Sequence, residues 1–159
     1  MGERMNNNFK ELTDFLDKYD VWYIIHSDCV EVKGDLWLSR NNIKSLPQSF
    51  GNLKIGGSLH LEYNNLKYLP QSFSNLEIGC NLHLDRNKLI SLSDSFGNLK
   101  VGCSLYLERN KLMSFPDSFF SSGLYKKVKD IKNLDELHSK FLKQEEARNQ
   151  TQSQIWVIG

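Results

Sequence analysis

The chain repeats itself every 23 residues. Leu36, Leu59, Leu82 and Leu105 stand at that interval, Phe50, Phe73, Phe96 and Phe119 do the same, and Asn41, Asn64, Asn87 and Asn110 keep the same step. A fixed period of this length predicts a solenoid, because each copy is too small to bury its own apolar face and has to stack on its neighbours. Function is then expected in the columns that the repeat leaves exposed.

The first full copy, GDLWLSRNNIKSLPQSFGNLKI, spans 34–55, and the next three open at Gly57, Cys80 and Cys103. Each begins with a Leu-x-Leu alternation, which points two leucines to one face of a strand and the residue between them to the other. An Asn follows three residues after the second leucine and an aliphatic residue two further on, as in Asn41 and Ile43. The side-chain amides of Asn41, Asn64, Asn87 and Asn110 are placed to satisfy backbone groups in the bend as a stacked ladder. Pro47, Pro70 and Pro116 set φ and block a regular helix, predicting loop or 3₁₀ turn there; Ser93 breaks the series. The Phe column and the columns Leu53, Leu76, Leu99 and Ile55, Ile78, Val101 read as stacked core. Val30 and Val32 match Leu53 and Ile55, so a half-repeat precedes the first full one.

On these residues the chain resembles the leucine-rich repeat family over about 30–121, with the pattern L-x-L-x-x-N-x-L in four in-phase copies. Its Leu-Pro, Ser-Phe and Asn-Leu-x-Ile-Gly segments are similar to short repeats of bacteria, phages and large DNA viruses. The resemblance implies an α/β solenoid: a right-handed leucine-rich-repeat superhelix with a parallel β-sheet on the concave face, a loop or 3₁₀ convex side, and helical caps at both ends. The expected organisation is an N-terminal helical cap and lead-in strand over 1–29, repeats over 30–121, a basic turn and helical cap over 122–149, and an apolar tail over 150–159. At the front, Phe9, Leu12, Phe15, Leu16 and Tyr19 share a helical face, with Asn8 as N-cap and a strand-like run from Val21 to Ile25. At the back, Leu134, Leu137, Phe141 and Leu142 form a second stripe on a helix from about Asn133 to Arg148.

The residue between the two leucines is Trp37, His60, His83 and Tyr106 in successive copies. The expected concave sheet therefore carries a column of rings about 4.8 Å apart. Two residues on lie Ser39, Glu62, Asp85 and Glu108, and one beyond those Arg40, Tyr63, Arg86 and Arg109. An aromatic column flanked by an acidic and a basic one suits recognition of a protein partner, since aromatics and Arg are the usual anchors. His60 and His83, with Glu62 and Asp85, could supply up to four N and O ligands to a metal. Parallel neighbours do not readily converge on a tetrahedral point, so no metal and no cofactor is assigned. No nucleophile or phosphate-cradling loop accompanies these residues, and no enzymatic activity is expected.

A net charge of +1 over 159 residues gives no global pull toward nucleic acid or membrane. Lys126, Lys127, Lys129 and Lys132 read as a solvated turn. The N-terminus lacks the apolar core of a secretion signal, and the three cysteines are an odd count suited to a reducing compartment. Cys80 and Cys103 replace Gly34 and Gly57 as small packing residues, a pair for which a disulfide is awkward. The expected location is intracellular: cytoplasm, or a virus particle. The final Ile155-Trp156-Val157-Ile158-Gly159 is β-prone and apolar, predicting a tail that folds back or adds a strand to a neighbour. Two functions follow: a non-enzymatic adaptor binding a protein partner through its concave face, or a structural component of a large assembly such as a virus particle, held by its faces and tail. A ubiquitin-ligase effector of the kind that pairs such repeats with a catalytic cysteine is set aside, because no Cys follows Phe119.

Overall fold

Each of the first three full repeats folds into two short strands separated by a Pro- or Ser-led turn, and the fourth into one strand followed by a helix. The computed structural model describes residues 9–132 and 134–157. The elements are α1 (Lys10–Lys18), β1 (Ile24–Ile25), β2 (Val30–Val32), β3 (Leu36–Trp37), β4 (Leu53–Ile55), β5 (Leu59–His60), β6 (Glu77–Ile78), β7 (Leu82–His83), β8 (Lys100–Val101), β9 (Leu105–Tyr106), α2 (Asp117–Ser121), β10 (Val128–Lys129) and α3 (Leu134–Val157). The strands form two five-stranded sheets, ordered β1-β2-β4-β6-β8 and β10-β9-β7-β5-β3. The first sheet is mixed, because β1 pairs antiparallel with β2. The second is parallel throughout.

This architecture corrects the expected right-handed leucine-rich-repeat superhelix with a parallel β-sheet on its concave face. Among the described residues two sheets and three helices make a small α/β domain. The physical reason lies in the columns taken only as core. Leu53-Lys54-Ile55 alternates buried, exposed, buried, which is the period of a strand, and Val30, Glu31 and Val32 pair with Leu53, Lys54 and Ile55. The mates of β4 and β6 lie one repeat away, so these segments satisfy their backbone in a second ladder.

The repeat phenylalanines form a buried column in which Phe50 and Phe73 stack and Phe96 and Phe119 meet tilted. Phe50, Phe73, Phe96 and Phe119 are all buried, with Phe50 and Phe73 ring centroids 5.9 Å apart and nearly coplanar in orientation, at 2°. Pro47 and Pro70 hold extended backbone with φ near −60° (−60° and −61°), and their carbonyls accept from the N–H of Phe50 and Phe73 at 3.0 and 2.9 Å. The result is a 3₁₀ turn at Gln48–Asn52 and another at Gln71–Asn75. Ser93 takes the same role without a proline: its carbonyl accepts from Phe96 N–H at 3.0 Å. Gly56, Gly79 and Gly102 allow neighbouring turns to approach, since a Cβ on Gly79 would stand 2.1 Å from the Gly56 carbonyl oxygen.

The asparagines close the corner after each strand of the parallel sheet. Asn64 Oδ1 accepts from the N–H of Asn41 and Ile43 at 3.1 and 2.9 Å, while Nδ2 donates to the carbonyls of Leu38 and Leu61 at 2.8 and 3.0 Å. Asn87 and Asn110 repeat this against Leu66 and Leu89. Asn41, with no full copy before it, is exposed, and among the described residues its side-chain amide donates only to Ser39 O, at 3.1 Å.

Helices lie at both ends. Leu12 and Leu16 of α1 are buried and Phe15 meets Phe50 edge-on at 5.9 Å; Asn8, expected as its N-cap, lies outside the described residues. Of the run from Val21 to Ile25, only Ile24–Ile25 is a strand. At the other end Phe141 stacks on Phe120 at 5.1 Å, and Leu142 is exposed. The helix does not stop at Arg148: Asn149 to Gln154 contains neither Gly nor Pro to end it, and Ile155, Trp156 and Val157 lie in α3 instead of a β-prone tail. Ile158 lies outside the described residues. Among the described residues no helix is long and apolar enough to cross a membrane.

Candidate functional site

The outer face of the parallel sheet carries four rings in register. Leucines flanking each ring, such as Leu59 and Leu61 around His60, are buried, and the pleat then turns the ring outward. Trp37 pairs with His60, His60 with His83, and His83 with Tyr106. Their centroids are 3.6, 4.6 and 4.5 Å apart and their planes within 9° of parallel. The spacing of the inner pairs is close to that of the strands themselves, about 4.8 Å, so the backbone ladder builds the stack, and Trp37 closes down on His60 more tightly. Trp37 closes it at 61% exposure, while the other three rings are half-buried.

Beside the rings runs the column Ser39, Glu62, Asp85 and Glu108. Glu62 and Asp85 keep only 18% and 13% of their side-chain surface. His60 Nδ1 stands 3.6 Å from Glu62 Oε1, too far for a hydrogen bond. Both His60 Nδ1 and Glu62 Oε2 are buried without a hydrogen-bond partner among the described residues. A buried polar atom left unpaired costs about 1–3 kcal/mol, so this pair is costly as it stands. His83 Nδ1 is 4.0 Å from Asp85 Oδ1. Burial, then the neighbouring His60, holds the His83 imidazole below the usual histidine range, while burial pushes the Asp85 carboxyl up. These opposite directions mark two desolvated groups leaning toward their neutral forms, not a stabilising ion pair.

The third column, Arg40, Tyr63, Arg86 and Arg109, takes left-handed backbone, with φ of 57°, 57°, 54° and 54°. For residues with a Cβ this costs roughly 1–2 kcal/mol each, and its recurrence in every copy ties it to the corner that precedes each Asn of the ladder. The guanidinium groups of Arg40 and Arg86 rest 4.1 and 4.8 Å from the Tyr63 ring centroid. Arg86 Nε also lies 3.8 Å from Asp85 Oδ2.

Two features fall outside the columns singled out from the sequence. Trp22, 88% exposed, lines with Trp37 a groove of about 490 Å³ between the lead-in segment and the first repeat. Its signal in the sequence was a large ring with no repeat partner. On the other sheet Glu31, Lys54, Glu77 and Lys100 pair in turn as a column of alternating charge. There Lys100 Nζ donates to Glu77 at 2.8 Å and holds that carboxyl below the usual range. Cys80 and Cys103 are free thiols with Sγ atoms 3.1 Å apart.

No protein-family model matches the chain, and no curated protein matches it, so neither comparison identifies it as a leucine-rich-repeat protein.

Proposed function

We propose that the chain is a non-enzymatic binding module that holds a protein partner against the ring column Trp37, His60, His83 and Tyr106, with Arg40, Tyr63 and Arg86 along its border. The observation that carries this reading is the exposed end of the stack: Trp37 at 61% and Trp22 at 88% exposure line one groove. Large rings left in water are the composition of an interface centre, and the Arg40 and Arg86 guanidinium groups over Tyr63 add the other usual anchor. The stack also presents its rings already ordered, so little side-chain freedom is lost on binding. Capture of partners from the native source by the wild type and by a Trp37→Ala, Arg86→Ala variant tests it, with circular dichroism establishing that both fold. Loss of a partner in the variant alone is the expected result; equal recovery of every partner overturns the reading.

A second reading, a structural component of a larger assembly, is favoured by α3. Its residues from Leu142 to Ser153 are exposed or only partly covered, and it runs on into Ile155, Trp156 and Val157. Under that reading the full chain self-associates or loses partners when Trp156 is changed to Glu, while the Trp37 variant behaves as wild type.

A further inference from the structure

We propose that His60, Glu62 and His83 form a binding site for a divalent first-row transition-metal ion of the zinc class. One ligand atom from each of the three lies within 4.8 Å of the others. Bonds of about 2.1 Å to a tetrahedral ion require ligand atoms about 3.4 Å apart, and an imidazole lone pair lies in its ring plane, so the His60 and His83 rings, 4.6 Å apart and within 9° of parallel, must tilt toward one another as the ligand atoms close by roughly an ångström. The donor set is two imidazoles and one carboxylate, a set that zinc accepts while keeping a fourth position open. Asp85 stands beside it, 4.0 Å from His83 Nδ1.

Ligand type alone would be a weak argument. The stronger one is that the two unpartnered buried polar atoms, His60 Nδ1 and Glu62 Oε2, sit in this cluster. Buried polar atoms are almost always satisfied, and each exception needs a cause. No Lys or Arg pairs with Glu62 among the described residues; Arg86 is turned to Asp85 and Tyr63. A cation bound between the imidazole nitrogen and the carboxylate oxygen satisfies both orphans at once. Register brings the two imidazoles together, since His60 and His83 are partners on β5 and β7, and the ring tilt that coordination needs comes at the expense of their stacking on Trp37 and Tyr106 at 3.6 and 4.5 Å. The site goes beyond the partner-binding reading and stands without it.

The competing donors are the Cys80 and Cys103 thiols, so calorimetric titration with zinc ion uses the full chain carrying Cys80→Ser and Cys103→Ser. The expected result is one ion per chain, with affinity falling at least tenfold in His60→Gln and in His83→Gln and unchanged in His26→Gln. Absence of binding by the serine-substituted chain up to millimolar zinc overturns the proposal, as does binding that neither His60→Gln nor His83→Gln weakens. Should a glutamine variant fail to fold, histidine-ring NMR of the unsubstituted histidines decides. Zinc must then shift the His60 and His83 ring signals while leaving those of His26 and His138; the reverse pattern, or no shift, overturns it.

Discussion

One asparagine side chain closes four backbone groups, and this is where single residues matter most to the fold. Removing the Asn64 amide strands the N–H of Asn41 and Ile43 and the carbonyls of Leu38 and Leu61. Net values of roughly 0.5–1.5 kcal/mol for each of the four bonds put the cost of Asn64→Ala at about 2–6 kcal/mol. Asn41, identical in sequence position within its copy, is exposed with one bond to Ser39. Asn41→Ala is therefore expected to stay within about 0.5 kcal/mol of wild type. Urea unfolding of both variants, compared by midpoint at constant slope, checks this, and equal losses would show that the ladder is not what Asn64 supplies.

At the level of elements, the end of the stack is as consequential as its middle. The first Phe ring would face water without α1, which covers it through Phe15 while Leu12 and Leu16 fill the space beneath. Leu16→Ala is expected to cost about 2–4 kcal/mol, since Leu16 is fully buried and the helix can only partly collapse onto the gap. Leu142→Ala on α3, where the residue is 48% exposed, is expected to cost well under 1 kcal/mol. Thermal unfolding of the two variants separates these outcomes. The same scale explains why the second sheet was hard to see in advance. Its strands are two or three residues long, and so short an alternation is as compatible with core columns on a loop as with a ladder until the partner strand is known.

The molecule as a whole carries its acid sensitivity on the ring face. In the folded chain His83 resists protonation because burial and then His60 disfavour its charged form. In the unfolded chain the same group takes up a proton near its ordinary 6.5. Between the depressed folded value and 6.5 the unfolded state binds more protons, so stability rises with pH across that window and is lost as pH falls through it. Asp85 works in the opposite sense at lower pH. Its raised folded value means the native state holds the proton longer, and stability falls as pH rises from 3.8 toward that value. Chemical denaturation in chelator-containing buffer across pH 5–7.5 is expected to show a decline toward acid that His83→Gln flattens. An unchanged slope in that variant would place the acid sensitivity elsewhere.

Period and register were legible in the residues alone. Leu36, Leu59, Leu82 and Leu105, spaced by 23, are successive partners in one parallel ladder, because a repeat that stacks on itself must pair like with like. The identity of the outward columns was legible for the same reason: strand alternation leaves no choice about which side the residue between two leucines takes. What only the tertiary structure decided were the properties that depend on distances across copies. These include the second sheet, the near-parallel planes of the four rings, and the two unpaired atoms of His60 and Glu62. They also include the groove that sets Trp22 beside Trp37. Pattern along a chain specifies which residues share a face, whereas burial, hydrogen-bond satisfaction and ring contact are set by packing between segments that the chain brings together only once it has folded.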